Sequence, residues 1–219
     1  MQFLKIEKMD LLIAVYIFCV AAGEIFGAKT MPWGNFGFIR FNPTVSIFVL
    51  PFIFTINDII TEVYGKERAR SIIRSILVVI MMIFLFSWIA TTVPPSSRFA
   101  STESAYDTIF GLSMRFSAAS IIAYAISDFL DVYIFALLRQ KLGKKGLWLR
   151  NNVSNFVSQF VDSLLFLSIA FYDLNSPIFG NVSFIWGILL PYWLLRCAFS
   201  VVETPLVYWG VNWLKGEKK

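Results

Sequence analysis

Carboxylates recur in this chain inside stretches that are otherwise apolar, and their spacing is helical. Asp58 and Glu62 follow Thr55 at intervals of three and four residues, Asp128 and Asp131 stand three apart, Asn155, Ser158, Gln159 and Asp162 make a third set, and Arg196, Ser200 and Glu203 a fourth. Residues three or four apart share one face of a helix, so each set is a polar stripe on an apolar rod. An ionised side chain near a bilayer centre costs at least about 2.5–3.5 kcal/mol, which makes every such group a candidate for function. The acids outnumber the one deep base, Arg196, so pairing cannot neutralise them all. Those left over need water, a cation or a hydrogen-bond-donating ligand. A purely structural role, with Arg196 paired to Glu203 or Asp162 to hold helices together, accounts for part of the set only. Tyr124, Tyr133 and Trp193 lie within reach of the stripes and could stack on a flat solute.

The same inventory excludes much. No histidine is present, which removes histidine metal clusters, Ser-His-Asp chemistry and histidine proton relays together. Any protonic switch here must be a carboxylate. Cys19 and Cys197 sit far apart in apolar runs and match no metal or redox spacing, so both read as packing residues, and neither a metal nor a cofactor is expected. The paired acids lack a Gly-x-Gly-Asp context and the longer aspartate ladders of intramembrane enzymes, and no histidine base accompanies them. The chain therefore reads as a non-enzyme. Glu24 lies nearer the outer end of its apolar stretch, where water can reach it.

What must position these stripes is a membrane. The apolar fraction is 58% and charged residues make up 15%, with a mean hydropathy of +0.70, against the roughly one quarter charged of a soluble domain. Apolar segments near 9–29, 43–64, 71–92, 112–138, 152–172 and 183–214 each approach the ~20 residues a transmembrane helix requires. Short polar or turn-rich breaks separate them: Met31 to Asn35, Gly65 to Arg68, Pro94 to Ser97, Gln140 to Gly146 and Asp173 to Asn181. The expected architecture is all-α, a polytopic bundle of six transmembrane helices forming one transmembrane domain over residues 1–219. Basic residues gather at alternate ends. Lys5 and Lys8 precede the first span, Lys66, Arg68, Arg70 and Arg74 surround the second break, Arg139 to Arg150 fill the fourth, and Lys215, Lys218 and Lys219 close the chain. Such runs stay inside, so both termini are expected in the cytoplasm and the protein in the cytoplasmic membrane. The first span resembles a secretory signal, but its apolar run continues to Ala28 and its removal would leave an odd span count. Its Gly23-x-x-x-Gly27 spacing permits close helix packing.

With a rise of about 1.5 Å per residue, Asp58, Asp128, Asp131 and Glu203 fall between the middle and the cytoplasmic third of their spans, and Gln159 and Asp162 near the middle of theirs. Facing inward, these stripes would line one polar chamber. Pro51, Pro191 and Pro205 would free the carbonyls of Ile47, Gly187 and Val201 nearby, and broken helices at the midplane are where many transporters hold their solutes.

The string Leu50-Pro51-Phe52-Ile53-Phe54, then Asn57-Asp58-Ile59-Ile60-Thr61-Glu62-Val63-Tyr64-Gly65 and Ala69-Arg70, resembles the signature of the queuosine precursor transporter family, a branch of the vitamin uptake transporters. Also similar are Ala123-Tyr124-Ala125, Asp131-Val132-Tyr133 with Arg139-Gln140 beyond it, and Leu149-Arg150-Asn151-Asn152-Val153-Ser154 leading into Ser158-Gln159 and Asp162-Ser163. The resemblance covers roughly residues 44–214. It implies import of a 7-deazaguanine such as preQ0, preQ1 or queuine for tRNA modification, and kinship with the six-helix substrate-binding subunits of energy-coupling vitamin transporters. Its matching positions include Asp58, Asp131, Gln159 and Asp162, already singled out. A carboxylate can accept a guanine-like ring N–H and exocyclic amine as a bidentate pair, and a glutamine can donate to the ring carbonyl. Asp128 and Glu62 could belong to an ion or proton path instead. No G-x-x-x-x-G-K-[ST] string occurs, so energy must come from a separate ATPase module, an ion gradient or metabolic trapping. The expected partners are thus a deazapurine solute, the lipid bilayer, and either a second copy or an energy-coupling ATPase, with no nucleic acid. The alternative is a substrate-binding subunit that cannot transport without that ATPase.

Overall fold

The computed structural model describes residues 6–32, 34–36, 39–142, 147–202 and 204–216; side chains at 35–36, 39–41, 66, 139, 142, 147–152, 155, 194–202 and 204 fall outside that description. Among the described residues the apolar runs form seven α-helices: α1 (Lys8–Phe26), α2 (Leu50–Tyr64), α3 (Lys66–Thr92), α4 (Glu103–Leu142), α5 (Leu147–Phe171), α6 (Ile178–Val202) and α7 (Thr204–Lys215). Three of these carry stretches long and apolar enough to cross a membrane, Lys8–Phe26, Glu67–Thr92 and Glu103–Leu138, with shorter apolar helices at Phe156–Phe171 and Ile178–Trp193. Large apolar side chains on α3 (Val78, Met82, Phe86, Trp88) and α4 (Ile122, Ile126, Phe129) point away from the protein. In a chain this apolar, lipid is the medium that accepts them.

The sequence-based boundaries shift at two places, each for a local reason. The segment before α2 is not α-helical: a short antiparallel ribbon, β1 (Gly34–Phe36) with β2 (Ile39–Phe41), and a 3₁₀ turn at Val45–Phe48 occupy it. The break expected over Gly65 to Arg68 shrinks to Gly65, whose φ of 84° is open to glycine alone without strain, and α3 starts at the next residue. The sixth expected span is described as α6 up to Val202 and α7 from Thr204, residue 203 lying outside the described residues.

Packing ties these pieces around α4, which runs against α3 on one side and α5 on the other, while α1 touches α2, α3 and α4. A core of Tyr16, Ile56, Ile60, Ile72, Ile76 and Ile80 joins α1, α2 and α3. Leu167, Ile185, Ile188 and Leu189 join α5 to α6. Phe116 meets Phe166 and Phe171 edge-on, with centroids 5.5 and 5.1 Å away, a geometry that gains from the ring quadrupoles as well as from burial. Gly23 and Gly27 turn towards Ser46, and a Cβ on Gly27 would collide with the Ser46 hydroxyl and the Gly23 carbonyl. The Gly-x-x-x-Gly spacing is therefore a packing device within the chain. Lys8 donates to the Trp213 carbonyl at 2.7 Å and lies 5.1 Å above the Trp213 ring centroid, which joins the start of α1 to the end of α7.

Candidate functional site

Where α1, α2, α3, α4 and α5 converge they leave a cavity of about 280 Å³, closed in part by Tyr192 of α6 and by Thr44 and Ser46 ahead of α2. Its walls are largely aliphatic and aromatic, among them Ile53, Phe54, Ile76, Leu77, Phe166 and Leu167. Polar groups enter at few points: Glu24 from α1, Ser120 and Tyr124 from α4, Asp162 and Ser163 from α5, and Tyr192. A half-enclosed, largely apolar space with a few convergent polar groups is a usual form of a small-molecule site, and its volume sits near the lower end of the common range of about 300–1,000 Å³.

Glu24 is the correction to the sequence reading. It is not solvated at a span end but 8% exposed, and its Oε1 accepts a 2.7 Å hydrogen bond from the Ser120 hydroxyl. Its Oε2 is buried and has no hydrogen-bond partner among the described residues. The reason is that its side chain turns towards α4, whose Ser120 and Ser117 lie beside it.

Those serines belong to a longer feature. Along α4, Ser113, Ser117, Ser120, Tyr124, Ser127 and Asp131 follow one another at alternating intervals of four and three, which draws a straight polar seam down one face. Its groups reach neighbours on both sides. Ser113 donates to the Ile25 carbonyl at 3.1 Å and Ser127 to Asp162 Oδ1 at 3.2 Å. Ser113, Ser117 and Ser127 are all buried, and Ser117 Oγ and Asp131 Oδ1 are, like Glu24 Oε2, buried without a partner among the described residues. Tyr124 lies in the field of Asp128 and Asp162 and of Arg74 and Arg70 on α3, and Tyr16 in that of Tyr124 and Asp58. The phenols thus link the acids of α2, α4 and α5.

Of the acids expected to gather in one chamber, Asp162 lines the cavity. Asp131 is half-buried further along the seam, while Asp58, Glu62, Asp128 and Gln159 are exposed. Asn155, Arg196 and Glu203 lie outside the described side chains. Among the three aromatics proposed for stacking, Tyr124 lines the cavity, Tyr133 is 57% exposed, and Trp193 packs edge-on against Phe156 at 5.4 Å. Pro51 falls in the first turn of α2, where a missing N–H breaks no helical bond, and Pro205 lies two residues past Glu203, which is outside the described residues. Pro191 is the one inside a described helix, and the Gly187 carbonyl that it frees accepts the Asn42 N–H at 3.4 Å.

A second, shallow hollow lies at the α5–α6 connection beside Arg115 and Asp173. Its donors are committed to structure: the Arg115 guanidinium caps α5 by donating to the Ile169 and Tyr172 carbonyls. The Ser176 hydroxyl at 2.6 Å and the Asn175 N–H at 2.9 Å donate to the Asp173 carboxylate and hold it below the usual aspartate range.

Comparison with known proteins gives an independent reading. Residues 44–210 match the family model described as "Putative vitamin uptake transporter". A "Probable queuosine precursor transporter" of Bacillus subtilis is 30% identical over 159 residues, covering 71% of this chain and 66% of its own length, so the match spans just under two thirds of that relative. One of the same name from Haemophilus influenzae is 29% identical over 207 residues, covering 88% of this chain and 85% of the relative. The "Queuosine precursor transporter" of Escherichia coli is 28% identical over 137 residues, covering 61% of this chain and 58% of its own. No solved structure matches the chain significantly.

Proposed function

We propose, on the premise that this chain belongs to the vitamin uptake transporter family, that it imports a queuosine precursor, a 7-deazaguanine such as preQ0, preQ1 or queuine, through the cavity at the α1–α5 junction. The observation that carries this reading is the pairing of Asp162 and Tyr124 in a largely apolar cavity of about 280 Å³. A flat bicyclic base can lie against Tyr124 and the aliphatic wall, with its ring N–H and exocyclic amine on the Asp162 carboxylate. Ser163, Ser120 and Tyr192 hydroxyls remain for the carbonyl edge. Asp131, Asp58 and Asp128 then serve the passage towards the cytoplasm rather than the bound base.

The topology that suits this role is one transmembrane domain with six crossings and both termini in the cytoplasm of a bacterial-type inner membrane. Its support is the contact between Lys8 and Trp213, which puts the two ends of the bundle side by side, together with the basic runs at alternate span ends. Purified protein in sealed liposomes tests the function. Exchange of labelled preQ0 across the bilayer with no added protein is the expected result. Binding without exchange would instead assign the chain to the substrate-binding subunits that depend on an ATPase module, and absence of binding to any deazapurine would overturn the reading.

A further inference from the structure

We propose that Glu24 carries one proton into the cell with each molecule of solute, so that the proton gradient drives uptake. The inference rests on the transport reading above and adds the energy source to it. Glu24 is 8% exposed, it lines the cavity, and one of its carboxyl oxygens makes no hydrogen bond among the described residues. An ionised carboxylate so placed would need a counter-charge. None is at hand, because among the described residues no lysine or arginine pairs with Glu24 and none lines the cavity.

The groups that face Glu24 strengthen the case. From α4 Ser117 and Ser120 stand against it, and Tyr124 of α4, Asp162 of α5 and Tyr192 of α6 line the same cavity. The walls given by α2, α3 and the 3₁₀ turn hold no ionisable side chain, and on α1 itself Tyr16 and Cys19 do not line the cavity. Arg70 and Arg74 act on Tyr124. A carboxyl buried in an apolar wall with no counter-charge keeps its proton.

A way out is built into α4. Below Ser120 the seam continues through Tyr124 and Ser127 to Asp131, hydroxyl after hydroxyl over about 16 Å at the helical rise, and ends on a carboxyl oxygen that is again buried without a partner among the described residues. Proton and solute thus enter by one cavity and leave towards one end of the bundle.

The test uses the intact chain in liposomes clamped at zero potential, with labelled preQ0, a neutral base, as probe. An inward gradient of one pH unit should sustain about tenfold accumulation if one proton accompanies each solute, and adding preQ0 outside should acidify the lumen. Glu24→Gln keeps a donor in place of the acid. It should still exchange preQ0 across the bilayer yet bring accumulation down to equilibration. Parent protein that exchanges preQ0 but neither accumulates it on the gradient nor acidifies the lumen overturns the proton role while leaving the transport reading intact, and so does Glu24→Gln with undiminished accumulation. Loss of all exchange in the parent takes away both. Should the variant not fold, lumen acidification by the parent decides alone.

Discussion

Replacing Asp162 with asparagine keeps the shape of the side chain and removes its charge. The Ser127 hydroxyl donates to Asp162 Oδ1 at 3.2 Å, and an amide oxygen accepts that bond as well, so the contact between α4 and α5 survives. The bound base fares differently. A hydrogen bond to a charged group contributes about 1.5–3 kcal/mol and a neutral one about 0.5–1.5 kcal/mol, so losing the charge weakens the first N–H contact by about 1 kcal/mol. The second contact becomes worse than absent, because the amide N–H₂ faces the solute's own donor, and a donor left unsatisfied in a buried site costs about 1–3 kcal/mol. The sum of about 2–4 kcal/mol corresponds to a Kd raised by roughly 30- to 1,000-fold. Titration calorimetry of detergent-purified parent and Asp162→Asn with preQ0 and preQ1 measures it directly, with thermal unfolding of the empty proteins as the control for packing. If the variant bound both bases within twofold of the parent, Asp162 would not be a base contact and the assignment of the cavity would be refuted.

Further expectations follow from single features. Gly27→Ala should lower thermal stability by about 1–3 kcal/mol, since the new methyl group meets the Ser46 hydroxyl and the Gly23 carbonyl, whereas Gly111→Ala, with no atom within 4 Å of its added Cβ, should be neutral or stabilising in the same melting experiment. The hydrogen bonds from Ser176 and Asn175 depress the Asp173 carboxyl below its unfolded value, so they stabilise the fold above that value, about 3.9, and the stabilisation is lost as pH falls through the lower folded one. Asp173→Asn should therefore flatten the acid limb of a melting-temperature profile and leave the profile near neutrality unchanged in slope. Lys8→Ala removes the bond to the Trp213 carbonyl and should cost about 1 kcal/mol, read as faster proteolysis of the α7 end.

The helices themselves were legible, because a membrane leaves the chain few alternatives: apolar runs of sufficient length become helices, and Gly or Pro clusters mark their ends. What escaped was how the ends fold back. Gly65 needed no loop around it, since one residue at positive φ turns the chain between α2 and α3. Pro51 reads as a kink but begins a helix, and hydropathy alone cannot tell a proline inside a helix from one at its start. Glu24 was assigned to water by counting residues from the end of its span, a measure blind to the direction of the side chain. The cue that would have found it lies on another helix. The alternation of Ser113, Ser117, Ser120, Tyr124, Ser127 and Asp131 is as periodic as any of the acid stripes, but serine is cheap in an apolar helix and attracts no notice until a carboxylate is seen against it. Asp162 stands out in the sequence because it is both charged and deep, and its side chain lines the cavity.

Pro191 has a consequence beyond its own helix. Having no N–H, it leaves the Gly187 carbonyl to be claimed from elsewhere, and the claimant is Asn42, part of the connection that also supplies Thr44 and Ser46 to the cavity wall. One residue past that proline, Tyr192 reaches the same cavity from the other direction. That bond, beside the contact of β2 with α6, couples two stretches of wall, and any widening of the gap between them must either stretch it or drag α6 along.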